Sequence, residues 1–269
     1  MSERSSRGGG RGEREGGDSS LRHVFGVNPV LEALRARPDE VERLYVVEGQ
    51  LAARASGELL SRAREAGVRV EKVSRERMAA MADGGVHQGV VLELRGFKYA
   101  DLQDILDAAK ASKKPALVVV LDGIQDPHNL GAIIRSAHAL GAHGVVIAKD
   151  RAVQVTGTVA KASAGAVEHC LVARVVNISR ALEELKEAGL WVAAADVGAT
   201  EPMWSARLDG PLALVVGAEG PGVREGVLKH CDHRLRIPMT GQVGSLNASV
   251  SAGVLLYEVA RQRGSPSRS

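Results

Sequence analysis

From Ala116 to Arg263 the chain alternates short apolar runs with stretches of helical period. Leu117–Leu121 (LVVVL) and Gly144–Ala148 (GVVIA) are continuous apolar runs, the mark of strands covered on both faces rather than one. Further strands are predicted at Cys170–Ala173, Trp191–Ala195, Leu212–Val216 and Arg234–Ile237. Helices are predicted between them, near Asn129–Leu140, Thr156–Ala162, Ser179–Ala188, Arg224–His230 and Asn247–Arg263. Alternation of this kind predicts an α/β fold, a parallel sheet with helices on both faces.

The preceding stretch predicts a second, smaller α/β unit. Its first helix is expected from Asn28, as N-cap with Pro29 at the first helical position, to about Arg37. A strand near Arg43–Val47, a helix Leu51–Ala66 and a strand Val68–Val73 follow. A short helix Arg75–Met81 and a strand Val90–Leu94 close the unit near Gly96. Structure is expected to begin at Val24. Residues 1–20 contain almost nothing apolar and cannot offset their own ordering entropy, so they are expected to be disordered. The expected division is a tail at 1–21, a unit at 22–96, a linker at 97–115 holding a helix-like stretch Asp101–Lys110, a unit at 116–264, and a tail at 265–269.

Composition narrows the function classes. Aromatic residues make up only 3% of the chain, so the core is built from Val, Leu, Ile and Ala, and few rings are left to stack on bases. The net charge of +3 permits a nucleic-acid partner without requiring one. Cys170 and Cys231 form no C-x-x-C pair, which fits a reducing compartment. His230-Cys231-Asp232-His233 contains metal-ligand types, but neighbours in an extended run point in alternate directions, and a helix-end loop without metal is the favoured reading. The polar N-terminus lacks a secretory pattern, and no run nears the roughly 20 apolar residues of a membrane span. A cytoplasmic protein with no membrane partner is expected.

Three blocks carry the candidate chemistry, each after a predicted strand, where ligands of open parallel sheets sit. The first is Asp122-Gly-Ile-Gln-Asp126-Pro127-His128-Asn129-Leu130-Gly131, followed by Arg135. Asn129 suits a helix cap, and Gly131 permits a close approach. The second is Gly217-Ala218-Glu219-Gly220-Pro221-Gly222, whose three glycines demand an unusual backbone path. It is not a G-x-G-x-x-G loop, and the Glu219 carboxylate would repel a pyrophosphate, which disfavours a nicotinamide dehydrogenase. The third runs from Ile237-Pro238 to Gly244-Ser245-Leu246-Asn247 and opens a long helix; Ser245 or Asn247 alone reads as a cap.

Taken together, the blocks resemble the motif set of the SpoU (TrmH) family, RNA ribose 2′-O-methyltransferases of the SPOUT class. The resemblance covers about residues 115–263. The opening Val24-Phe-Gly-Val-Asn-Pro-Val-Leu-Glu-Ala-Leu is similar to the ribosomal-protein-like RNA-binding domain of the subgroup that methylates a guanosine in large-subunit rRNA. The resemblance implies a C-terminal trefoil knot, a homodimer with the active site near the subunit interface, and S-adenosylmethionine as cofactor. It implies Gly217, Ile237 and Leu246 at the adenine, and Asn129, Arg135, Glu219, Ser245 and Asn247 as the catalytic set. A guanidinium stays protonated, with a pKa above about 12, so Arg135 suits phosphate anchoring better than proton removal. Asn129 and Asn247 are then assigned to orienting Arg135 and the ribose, Ser245 to the 2′-hydroxyl, and Glu219 to shaping its loop and holding a neighbouring donor. The competing readings are the same chemistry on a tRNA ribose and a non-catalytic rRNA-binding assembly factor.

Overall fold

The computed structural model of the chain describes residues 21–47, 53–242 and 244–264, with only the backbone at 53–56. The expected tails (1–21, Leu21 excepted, and 265–269) and the expected helix start at Leu51 lie outside the described residues.

Two sheets organise the chain. The N-terminal unit comprises β1 (Arg22–Phe25), α1 (Val27–Ala36), a 3-10 turn, β2 (Val41–Val46), α2 (Ala53–Glu65), β3 (Arg69–Lys72), α3 (Arg75–Met81) and β4 (Val90–Leu94). Its strand order is β1-β4-β2-β3, mixed in direction. The remainder comprises α4 (Leu102–Ser112), β5 (Leu117–Asp122), α5 (Pro127–Ala139), β6 (Gly144–Ala148), α6 (Gly157–Ala162), β7 (Val172–Val175) and α7 (Ile178–Glu187). It continues with β8 (Trp191–Ala195), β9 (Glu201–Pro202), β10 (Leu212–Gly217), α8 (Glu225–Leu228), β11 (His233–Arg236) and α9 (Ala248–Gln262). These seven strands form one sheet in the order β7-β6-β5-β10-β8-β11-β9, and every pairing is parallel. β5, β6 and β10 are buried at every residue, as their unbroken apolar runs require. From β5 the chain steps outward to β6 and β7, then crosses to the other side through β8. The direction of winding therefore reverses between β5 and β10, and a crevice opens beyond their carboxyl ends.

Local chemistry moved some boundaries. α1 starts after Gly26, whose φ of 91° is open to glycine, and not at an Asn28 cap; the Val27 N–H donates to Gln88 Oε1 at 2.9 Å. β1 escaped the sequence reading because a four-residue RHVF run has no distinctive period; it is recruited by antiparallel pairing with β4. In the polar connection, α4 buries Ile105 and Leu106 in the cluster that holds Val118, Val120 and Val146. A Cβ on Gly144 would fall 2.5 Å from Ile105 Cδ1, so the connection is fitted onto the sheet.

The two units share a core. Val24, Leu34 and Leu92 belong to one apolar cluster with Ile134, Val159 and Leu214. At this seam the Glu168 carboxylate, fully buried, accepts from Arg22 Nη1 at 3.1 Å and from Arg22 Nη2 at 2.9 Å, and pairs with Arg37 Nε at 3.3 Å. Both guanidinium groups lie over the Phe97 ring, at 5.3 and 4.7 Å. A Cβ on Gly157 would fall 1.9 Å from the His23 carbonyl oxygen, so β1 and α6 touch backbone to backbone. Replacing Glu168 with alanine strands the buried Arg22 guanidinium and leaves Arg37 only its contact with Glu40, at 3.6 Å. The expected cost is about 3–5 kcal/mol, read from urea unfolding of the whole chain. A loss below about 1 kcal/mol would show instead that the seam opens readily to water. No helix among the described residues is long and apolar enough to cross a membrane.

Candidate active site

β5 ends at Asp122, and the following turn leads into α5. Asp126 caps that helix: its side chain accepts from the His128 N–H at 2.8 Å, with Pro127 at the first position. Asn129 is therefore not the cap. As the third helical residue it is buried, and its amide is free for other partners. Asn129 Nδ2 donates to Glu219 Oε1 at 2.8 Å, and Asn129 Oδ1 accepts from Asn247 Nδ2 at 3.0 Å. Asn247 Nδ2 also donates to the same Glu219 oxygen. Meanwhile Asn247 Oδ1 caps α9, accepting from the Ser249 N–H at 2.9 Å, Ser249 Oγ at 2.6 Å and the Val250 N–H at 3.3 Å. One residue from each of the three blocks thus enters a single network, in which two amides hold one carboxylate oxygen. Hydrogen bonds to an ionised acceptor are roughly twice as strong as neutral ones, so this network fixes all three side chains.

The Gly217–Gly222 loop folds back on its own strand. The Gly222 N–H donates to the Ala218 carbonyl at 2.9 Å, and Gly220 and Gly222 adopt φ of 82° and 67°. A Cβ on Gly217 would lie 2.0 Å from the Gly222 carbonyl carbon, so only glycine fits. Two residues outside the sequence-derived set tie this loop to β5. Asp122 is fully buried, and its Oδ1 accepts from Arg224 Nε at 2.9 Å and Nη2 at 2.6 Å, while its Oδ2 accepts from the Arg224 N–H at 2.9 Å. The hydrogen bonds to Asp122 raise the Arg224 guanidinium above its ordinary pKa. The available signal was an aspartate closing a wholly apolar strand, since a buried carboxylate needs a cation or several donors.

Gly217, Ile237 and Leu246 line one cleft beyond β8, β10 and β11, together with Ser245, Met239 and Asp196. Its walls are glycine backbone, apolar side chains, two serines and the carboxylates of Asp196 and Glu219, with no arginine or lysine among the described residues. Such a lining suits a neutral adenine and a cationic sulfonium and is a poor receptor for a pyrophosphate. Ser245 is exposed and makes no side-chain hydrogen bond to a described residue. Arg135 stands apart. It follows Asn129 by six residues, which places it about 120° around α5 and about 9 Å further along. It is exposed, with no hydrogen bond or ion pair to any described residue. Within one chain the amides of Asn129 and Asn247 therefore orient Glu219, and Arg135 is not among their partners.

The 230–233 segment disperses its ligand types. His230 Nδ1 meets Glu183 at 2.6 Å, Asp232 Oδ2 accepts from the Val192 N–H at 2.8 Å, and His233 lies 3.5 Å from Glu201. Burial pushes the Cys231 thiol up to about 12. These side chains tie the segment to α7, β8 and β9.

Residues 116–257 match the family profile described as SpoU rRNA Methylase, and residues 23–100 match that of the RNA 2′-O ribose methyltransferase substrate-binding domain. The chain is 44% identical over 241 residues to the putative TrmH family tRNA/rRNA methyltransferase YacO of Bacillus subtilis, covering 90% of this chain and 96% of that protein. It is 41% identical over 241 residues to the 23S rRNA (guanosine-2′-O-)-methyltransferase RlmB of Haemophilus influenzae, covering 89% and 97%. Among solved structures, the SpoU methyltransferase AviRb of Streptomyces viridochromogenes in complex with AdoMet superposes with a TM-score of 0.74 at 27% identity, covering 90% and 89%. The chain belongs to the SpoU family and is an S-adenosylmethionine-dependent RNA ribose 2′-O-methyltransferase.

Proposed function

We propose that this enzyme methylates the ribose 2′-hydroxyl of a guanosine in 23S rRNA and works as a homodimer. The observation that carries the substrate reading is the likeness to RlmB across both units, the substrate-binding one included. S-adenosylmethionine supplies an electrophilic methyl group on a sulfonium. Gly217, Ile237 and Leu246 would hold its adenine in their shared cleft, in a C-terminal segment expected to be knotted. The ribose hydroxyl is a weak nucleophile, so the chain's task is to place it in line and help its proton leave. Ser245 and the Asn129–Glu219–Asn247 network border the cleft and would orient the hydroxyl. Arg135 would hold a substrate phosphate.

Two features support the homodimer. α9 exposes Val250 and Tyr257 beside a groove lined by Met203, Gly253 and Val254, a contiguous apolar face of the kind that mediates association. Arg135 is carried by α5, which packs on α9: the adjacent Ser136 places Oγ 3.9 Å from where a Cβ on Gly253 would be. A second copy seated on α9 would receive Arg135 next to its own cleft.

Incubation with methyl-labelled S-adenosylmethionine and separate 23S rRNA and tRNA pools, followed by mapping of alkali-resistant linkages, tests the substrate. Label is expected at one guanosine of 23S rRNA. Label confined to tRNA would refute the rRNA assignment.

A further inference from the structure

A second cleft, of about 930 Å³, opens over the carboxyl ends of β5, β6 and β7. That is near the top of the roughly 300–1,000 Å³ range of small-molecule sites. Ala218, Glu219 and Gly222 line both this cleft and the cofactor cleft, and Asn129 faces this one. The partition between the two spaces is thus the amide–carboxylate network and its loop. A group passing from a ligand in one cleft to a ligand in the other has to cross at that partition, and transfer needs the two reacting atoms within contact.

The outer wall carries two guanidinium groups. Asp122 aims Arg224 by engaging Nε and one hydrogen of Nη2 through a single oxygen, and the side chain is still 61% exposed. Its Nη1 hydrogens have no partner among the described residues. Arg151, just after β6, is exposed, has no ion pair among the described residues and adopts a left-handed φ of 55°. Four carboxylates also line the space: Asp122, held by Arg224; Glu219, held by the two amides; Asp126, one of whose oxygens is committed to the α5 cap; and Asp150 beside Arg151. Exposed guanidinium donors and carboxylate acceptors lining one cleft match a nucleotide, whose phosphates accept and whose base edge carries N–H donors.

We propose that this cleft is the acceptor-nucleotide site, where Arg224 and Arg151 hold backbone phosphates of the RNA and the 2′-hydroxyl reaches the cofactor past Glu219 and Asn129. The inference rests on the reading that an RNA ribose is the acceptor. It assigns Asp122 as a positioning residue that works through Arg224.

The test uses the full-length protein and whichever RNA pool the wild type labels, so that transfer to tRNA alone would correct the acceptor without deciding the cleft. Arg151→Ala leaves no buried charge behind and is the primary variant. Its KM for RNA is expected to rise about fivefold or more, and the log–log slope of RNA binding against salt to fall by about 0.7–0.9, one phosphate contact. Affinity for S-adenosylmethionine, read by calorimetry, stays unchanged. Arg224→Gln keeps a donor for Asp122 and shows the same pattern with a larger rise in KM. Unchanged KM and salt slope in both variants would overturn the proposal. So would a loss of cofactor affinity in Arg224→Gln with a silent Arg151→Ala, because Arg224 would then be only a strut of the loop.

Discussion

Gly217→Ala is expected to lose about a hundredfold in affinity for S-adenosylmethionine, or about 2.7 kcal/mol, in a chain that still folds. The added Cβ would sit 2.0 Å from the Gly222 carbonyl carbon, 2.2 Å from its oxygen and 2.2 Å from the Val223 nitrogen. All three obstacles are backbone, so no rotamer change relieves the clash. The strand side cannot yield, because β10 is paired on both edges, to β5 and β8. The loop must move, yet its far end is pinned by the Arg224 backbone and side chain on Asp122, and its middle by two amides on Glu219. Displacement therefore breaks either the cleft wall formed by Gly217, Ala218 and Gly222 or the network behind it. Gly210→Ala is the matched control: nothing lies within 4 Å of its Cβ and its φ is not left-handed, so cofactor affinity is expected to be unaffected. Calorimetric titration of both variants, with urea midpoints alongside, checks the prediction. Equal affinity in the two would show that the loop yields without cost.

How far the sequence reached follows from what each signal measures. The unbroken apolar runs of β5, β6 and β10 report burial on both faces, and burial on both faces is what a parallel sheet imposes. The three blocks were legible because each follows a strand and combines residues that a plain turn does not need. The identity of the α5 cap was less so. Asp126 and Asn129 are both good N-caps, and only the geometry shows that Asp126 takes the role and frees Asn129 for Glu219. Asp122–Arg224 and Arg22–Glu168 join residues 102 and 146 positions apart, and no local pattern encodes such a pairing. The docking of the two units was hidden for the same reason. The contact of β1 with α6 depends on Gly157 lacking a Cβ, and in the sequence that glycine is only another residue near a predicted helix start.

Arg135→Ala and Glu219→Ala are each expected to reduce methyl transfer by about a hundredfold or more, the scale of a lost positioning or proton-handling group. Co-expression of the two variants in one cell separates a site contained in one chain from a site shared between two. If Arg135 serves its own chain, no combination of the two variants holds both residues in one site, and the mixture stays inactive. If it serves the neighbouring chain across the α9 face, the Arg135→Ala subunit keeps its Glu219 and receives Arg135 from the Glu219→Ala subunit. Random pairing makes half of the dimers mixed, each with one intact site of two, so about a quarter of wild-type activity returns. The geometry favours the second outcome. Within one chain Arg135 lies about 120° around α5 from Asn129. It meets no hydrogen-bond or ion-pair partner among the described residues, and it does not line the cofactor cleft of its own chain. Differential tags on the two variants would let the mixed dimer be isolated and assayed alone, where half of wild-type activity is the expected reading; an inactive mixed dimer would return Arg135 to its own chain.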